Sequence, residues 1–310
     1  MRIAHLSDLH LLALEGNGPH RFANKRLSGW VNLRYRRKAV HKPQLAEAVA
    51  REVKRRGVDH VVITGDVSNL ALESEFTRVR EFLDDALGLP ASSVTMVPGN
   101  HDVYTGGAHR HRRFQRYFAE YITDDLPGAG GVVDDGSQFP FVRIRGPVAL
   151  IGLSTAVPRP VLVASGELGA RQRAALRAIL DHRDVQSRLP VLLQHHPWHN
   201  PPRRTKRYLN GLADADAEAE AVRGVSAGLL LHGHLHRRVY RRLHTGGGGA
   251  IEAIGGPSAS LLDPRDDRMG GFNVYDVDEH GRGVPSLSRV ASFKWHPERR
   301  DFVPAVLSPP

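Results

Sequence analysis

The sequence predicts an α/β fold on two observations. Short apolar runs of strand character alternate with stretches of helical period, and after residue 236 this gives way to short strands separated by turn residues. The first strand is Ile3–Ser7. Pro43, Leu45, Ala48, Val49 and Val53 then follow a helical period, with Pro at the start and Gly57 just past the end. His60–Thr64 reads as the second strand. Leu72, Phe76, Val79, Leu83 and Leu87 form the apolar stripe of a helix closed by Gly88. Strands are expected at Val94–Val97, Phe141–Ile144 and Val148–Leu153. A helix from about Glu167 to Asp181 would bury Leu168, Leu176, Ile179 and Leu180. Val191–Gln194 and Gly228–Leu231 complete the alternating part, and Gly246–Gly249, Gly255–Pro257 and Asp263–Pro264 punctuate a β-rich region from about residue 237. No repeat or linker marks a second domain, so residues 1–310 are expected to form one.

Composition narrows the function classes. With 310 residues, 41% of them hydrophobic, the chain can bury a large core, which excludes a disordered polypeptide. The absence of cysteine removes disulfides, zinc ribbons, iron–sulfur clusters and thiol nucleophiles together. No apolar run approaches the roughly 18 residues that span a bilayer. Met1 leads almost directly into the first strand, so a cytoplasmic protein is expected.

The net charge of +10 is concentrated in one place. Residues 20–56 hold twelve basic side chains against Glu47 and Glu52, so the remainder is neutral. Within residues 20–42, Leu27, Trp30, Val31 and Tyr35 share one helical face, surrounded by Arg26, Arg34, Arg36, Arg37 and Lys38. Such a basic amphipathic insertion suits an anionic membrane surface, which would place the protein peripherally on the inner face of the membrane. It equally suits a surface helix packed on its own domain, and less well a nucleic-acid contact.

The chemistry-bearing residues lie just after the strands, where open α/β sheets place their ligand sites. Asp8-Leu9-His10 follows the first strand, Gly65-Asp66 the second, and Gly99-Asn100-His101-Asp102 the third. His195-His196-Pro197 and Gly233-His234-Leu235-His236 follow two later ones. Carboxylates, imidazoles and an amide oxygen suit a pair of divalent metals. From the chain's own composition, Gly-Asn-His-Asp arises by chance only about three times in a thousand such chains, so coincidence is not a competitor.

This motif series resembles the calcineurin-like metallophosphoesterase superfamily. The resemblance implies two packed mixed β-sheets flanked by helices, a four-layer α/β fold. It implies one metal held by Asp8, His10, Asp66 and His236, and a second held by Asp66, Asn100, His195 and His234, with Asp66 bridging. Mn²⁺ is the expected metal, with Fe, Zn, Co or Ni also compatible. A hydroxide bridging the two metals would attack phosphorus, and His101 would donate a proton to the leaving group, with Asp102 orienting its imidazole. The expected activity is hydrolysis of a phosphodiester or pyrophosphate in a phosphate-ester, nucleotide-containing or lipid substrate. The motif spacing is similar to bacterial cyclic-nucleotide phosphodiesterases, whereas the basic insertion would suit a membrane-associated UDP-2,3-diacylglucosamine pyrophosphatase. A nuclease would want a capping domain that the sequence lacks. A non-catalytic scaffold would be expected to lose ligands, and none is lost.

Neighbouring residues have plainer readings. His196 could replace His195 as the ligand, although the family pattern favours the first histidine. His5 and His232 read as packed histidines, Asn69 as a helix cap, and His109 and His111 as solvent-facing.

Overall fold

A computed structural model describes residues 1–18, 26, 40–131, 138–278 and 285–307. The strands are β1 (Arg2–Leu6), β2 (His60–Thr64), β3 (Val94–Val97), β4 (Phe141–Arg145), β5 (Val148–Gly152), β6 (Leu189–Leu193) and β7 (Ala227–His232). They continue with β8 (Val239–His244), β9 (Ala250–Gly255), β10 (Gly271–Asp278), β11 (Ser286–His296) and β12 (Asp301–Ala305). They form two mixed six-stranded sheets, ordered β12-β11-β10-β1-β2-β3 and β4-β5-β6-β7-β9-β8. In the first, β1, β2 and β3 run parallel while β10 pairs antiparallel with β1. In the second, β5, β6, β7 and β9 are parallel.

The two-residue period of the strands sorts side chains between layers. Leu150, Val191, Leu193, Leu229 and Leu231 join the core that also contains Ile3, Leu6 and Ile63 of the first sheet. Their neighbours Ala149, Ile151, Leu192 and Leu230 pack instead with the helix residues Leu176 and Ile179. The second sheet is therefore covered on both faces, which explains its near-continuous apolar strands.

Helix α1 (Pro43–Arg55) starts on proline and buries Leu45, Ala46, Val49 and Val53. Helix α2 (Glu73–Glu81) continues into a π-helical turn, Phe82–Leu87, that stops at Gly88 with φ +58°. Two expected details differ. β6 begins at Leu189 rather than after Pro190, because Pro190 pairs only with β5, and the ladder to β7 that would need its N–H starts at Val191. In the helix Gly169–Leu180, Leu180 is only half-buried.

Most of the basic insertion, including the Leu27, Trp30, Val31 and Tyr35 stripe, lies outside the described residues. Arg26 is described, and it corrects one expectation. Its guanidinium is buried and donates to the carbonyls of Leu70 (2.8 Å) and Ala71 (3.0 Å), so it is not part of an outward basic face.

Candidate metal centre

The loops leaving β1, β2, β3, β6 and β7 converge because they are laced together by backbone hydrogen bonds. Asp8 N donates to Gly65 O, His10 N to Asp66 O and Leu11 N to Val67 O, each at 3.0 Å. Gly233 N donates to His195 O at 3.0 Å, joining the loops after β7 and β6. The turns are sharp. Asp8, His10, Asp66, His234 and His236 all have positive φ, between 31° and 53°. That conformation costs an L-residue about 1–2 kcal/mol, and the surrounding packing holds it. The loops also approach closely: a Cβ on Gly99 would collide with Asp66, and one on Gly233 with Ser7 and Asp8. The motif glycines thus let carboxylates and imidazoles crowd together.

Three overlapping groups of ligand-type side chains result among the described residues, and two of them share Asp66. Of these two, one is Asp8, His10 and Asp66, and the other is Asp66, His195 and His234; the third group is His10, His41 and His236. Asp66 Oδ1 accepts from the backbone N–H of His101 at 2.7 Å. Its Oδ2 lies 3.9 Å from His10 Nε2 and 3.3 Å from His195 Nε2, facing both groups that it joins. His236 Nε2 is 3.0 Å from Asp8 Oδ1. The ring nitrogens meet in pairs, His10 Nε2 with His236 Nε2 and His234 Nδ1 with His195 Nε2, each at 3.3 Å. Two imidazole nitrogens bound to one ion at about 2.1 Å lie about 3.0–3.4 Å apart, so both pairs have the spacing of shared ligation.

The far sides of the rings are anchored. His10 Nδ1 donates to Ser68 O at 3.3 Å and His195 Nδ1 to Thr64 O at 2.7 Å. These bonds fix the tautomer and turn each Nε2 lone pair inward. Asp8 Oδ1 and Asn100 Oδ1 are buried without an aligned hydrogen-bond donor, as oxygens intended for a cation would be.

Electrostatics agree with this reading. Burial opposes charge on Asp66, but His195, His101 and His10 outweigh it and hold the carboxyl well below its usual range. Burial likewise opposes charge on His195, yet Asp66 and Asp8 raise it to about 9. The cluster therefore demands positive charge between its carboxylates. Burial, reinforced by His196 and His195, keeps His234 neutral and able to ligate.

The seven ligand candidates can be placed against the sequence reading. Six of them, Asp8, His10, Asp66, His195, His234 and His236, come together directly, and the amide oxygen of Asn100, the residue before His101, is buried. Of the adjacent histidines, His195 faces Asp66. His196 has Nδ1 on Thr155 Oγ1 and Nε2 on Ala164 O, both at 2.9 Å, which leaves no nitrogen for a metal. His5 bonds Tyr275 and Thr64 in the core, and His232 is fully buried. His109 and His111 are exposed.

His101 stands at the edge of the cluster, its ring 5.2 Å from that of His10. The role expected for Asp102 is corrected. Its carboxylate accepts from Gly99 N and Ser68 N at 2.9 Å, Ser68 Oγ at 2.8 Å and Val67 N at 3.3 Å. It ties the loops after β2 and β3 together and leaves no oxygen for the His101 ring. Burial and the charge of Asp66 push it up to about 7. His101 Nδ1 instead donates to Asn69 O at 2.7 Å, and Tyr104 stacks on its ring. Asn69 is correspondingly not the helix cap: Leu72 occupies that position, and Asn69 Nδ2 donates to His10 O at 2.8 Å. No motif marks a backbone carbonyl as a histidine anchor, so sequence reasoning missed it.

A cleft of about 510 Å³, lined by residues such as Arg177, Arg188 and Arg223, contains none of these groups. The chemistry sits at the strand ends instead.

Among solved structures, the chain is similar to a dimetal phosphatase from Danio rerio, at 16% identity over 92% of this chain and 98% of that one, with a TM-score of 0.50. It is also similar to a purple acid phosphatase from yellow lupin seeds, at 12% identity and a TM-score of 0.51, spanning 88% of this chain and 48% of that longer one. No curated protein matches the sequence. The family model of calcineurin-like phosphoesterases matches residues 1–238, which hold every one of the seven ligand candidates and His101. The chain belongs to the calcineurin-like phosphoesterase family and is a metallophosphoesterase.

Proposed function

We propose that this enzyme hydrolyses a phosphodiester or pyrophosphate bond at a dinuclear centre, with His101 as proton donor. The observation that carries the reading is Asp66, whose Oδ2 faces two ligand groups at once while its Oδ1 is held by the backbone N–H of His101. Asp8, His10, Asp66 and His236 would hold one divalent ion, and Asp66, Asn100, His195 and His234 the other. Bound there, the ions supply Lewis acidity, offsetting phosphoryl charge and acidifying water for attack near neutral pH. His101 is kept in place by Asn69 O on one ring nitrogen and by Tyr104 on its face. In its protonated form it can hand a proton to a departing alkoxide or phosphate.

A membrane-bound amphiphile is the second substrate reading, and one surface favours it. Pro160–Val163 is a tight turn whose Leu162, at φ +67°, is 87% exposed. Ala164 of this loop donates to Leu209 O at 2.7 Å and accepts from His196, next to the centre. Val161, Leu162, Tyr208 and Leu209 are exposed beside Arg203, Arg204, Lys206 and Arg207. Apolar tips among cations suit an anionic lipid surface. No helix among the described residues is long and apolar enough to cross a membrane.

One product assay with Mn²⁺ tests both. UDP-2,3-diacylglucosamine in anionic vesicles and soluble cyclic AMP are offered to the wild type and to His101→Ala, with a nitrophenyl phosphodiester as the good-leaving-group control. UMP release would favour the amphiphile, AMP release the soluble nucleotide. His101→Ala should lose about 10²-fold or more on the poor leaving group and far less on nitrophenolate. Equal losses on both would remove His101 from the proton-donor role.

A further inference from the structure

We propose that His41 is an additional ligand of the metal position formed by Asp8, His10 and His236, a proposal that rests on the dinuclear reading above. His41 stands outside the ligand set that the family resemblance implies, and it enters from the end of the basic segment. Ligand atoms of His10, His41 and His236 all lie within 4.8 Å of one another. The His41 ring is 4.6 Å from that of His10 and 5.5 Å from that of His236, both edge-on, at 67° and 89°. The third pair, His10 with His236, is tilted at 50°. None of the three is stacked, as expected of rings that converge on a common point.

The placement is built rather than incidental. His41 pairs with Leu261 in an isolated antiparallel bridge. Lys42 N donates to Ser260 O and Leu262 N to Val40 O, both at 2.8 Å. Ser260 Oγ bonds His41 Nδ1 at 2.8 Å, which fixes the ring and assigns ligation to Nε2. The same short loop braces the first ligand, because Ser258 Oγ donates to Asp8 O at 2.7 Å and Ser260 Oγ reaches it at 3.3 Å. One loop after the matched region therefore sets both Asp8 and His41. A third imidazole makes this position richer in nitrogen than its neighbour, which shifts its preference from Mn²⁺ toward Zn²⁺, Co²⁺ or Ni²⁺.

The test is metal binding by the full-length chain, stripped with chelator and titrated with Co²⁺ while visible absorption and bound metal per chain are recorded. The wild type should take up two ions. His41→Ala should keep one tight site and weaken the other about 10- to 100-fold, with a changed d–d absorption for that equivalent, and free imidazole should restore it. Ser260→Ala, which keeps His41 but releases its ring, should weaken the same site in the same direction. Matching circular dichroism and Tm in chelator establish that the variants fold. Two unchanged equivalents with an unchanged spectrum in both variants would overturn the role of His41 alone. Fewer than two ions on the wild type would overturn the dinuclear reading itself, and this proposal with it.

Discussion

The two halves of the centre are assembled from different parts of the molecule. The half around His195 grows out of the sandwich: His195 is fully buried, its Nδ1 tied to Thr64 O at the end of β2, and its loop bonded to the one after β7. The half around Asp8 draws on more distant segments, although Asp8 and His10 themselves are buried. His236 is 19% exposed at its side chain, His41 is half-buried, and the backbone of Asp8 is braced by Ser258 and Ser260 from beyond residue 238. One half is fixed by the core of the fold and the other by distant segments laid over it. The first should be rigid and intolerant of change, and the second more readily retuned in metal affinity and choice.

The largest effect should come from the residue that belongs to both halves. Asp66→Ala removes the Oδ2 that faces His10 and His195 and the Oδ1 that accepts from His101 N. Activity should fall at least about 10³-fold, and bound metal should drop below one ion per chain. A variant retaining two ions would show that the halves do not share a ligand. Next come the paired truncations His195→Ala and His236→Ala, each of which should lose one metal. They should part company in stability measured in chelator. His195→Ala opens a buried space and removes the 2.7 Å hydrogen bond to Thr64 O, costing about 1–3 kcal/mol. His236→Ala removes a partly exposed ring and should change stability by no more than about 0.5 kcal/mol. Equal changes in Tm would erase the proposed contrast.

Much of this was readable in the sequence, for physical reasons that also mark where reading stops. Strands such as His60–Thr64 and Val94–Val97 were legible because burial on both faces makes them continuous apolar runs bounded by polar loop residues. The ligand residues were legible because metal chemistry restricts residue type and strand ends restrict position. Asp102 was misread because adjacency in sequence does not show which way a side chain turns, and at this tight turn it points back to Gly99 and Ser68. His41 was hidden for a different reason. Its approach to His10 depends on pairing with Leu261, more than two hundred residues away, and no local pattern encodes such a contact. Nor does sequence show that five ligand candidates adopt positive φ, although Asp and His are among the residues that tolerate it better.

The last prediction concerns a buried histidine on β2, the strand to which His195 is tied, that has nothing to do with metal. His60, at the opposite end of β2 from the Asp66 loop, is buried with Nε2 on Thr95 Oγ1 at 2.8 Å. Burial, helped by Arg143 and Arg145, lowers it to about 3. Above pH 6.5 it is neutral in both the folded and unfolded chain, and its contribution to stability is fully present. As pH falls from 6.5 toward 3, the unfolded chain binds a proton there that the folded one refuses, so stability declines by up to about 1.4 kcal/mol per pH unit. His60→Gln keeps a hydrogen-bonding group for Thr95 but cannot titrate. Denaturant unfolding in chelator between pH 6.5 and 5 should show a shallower acid decline in the variant, by close to one proton. An identical slope would mean that β2 opens enough at its start to let His60 ionise, and that the rigidity inferred for the half around His195 is confined to the end that carries the metal ligands.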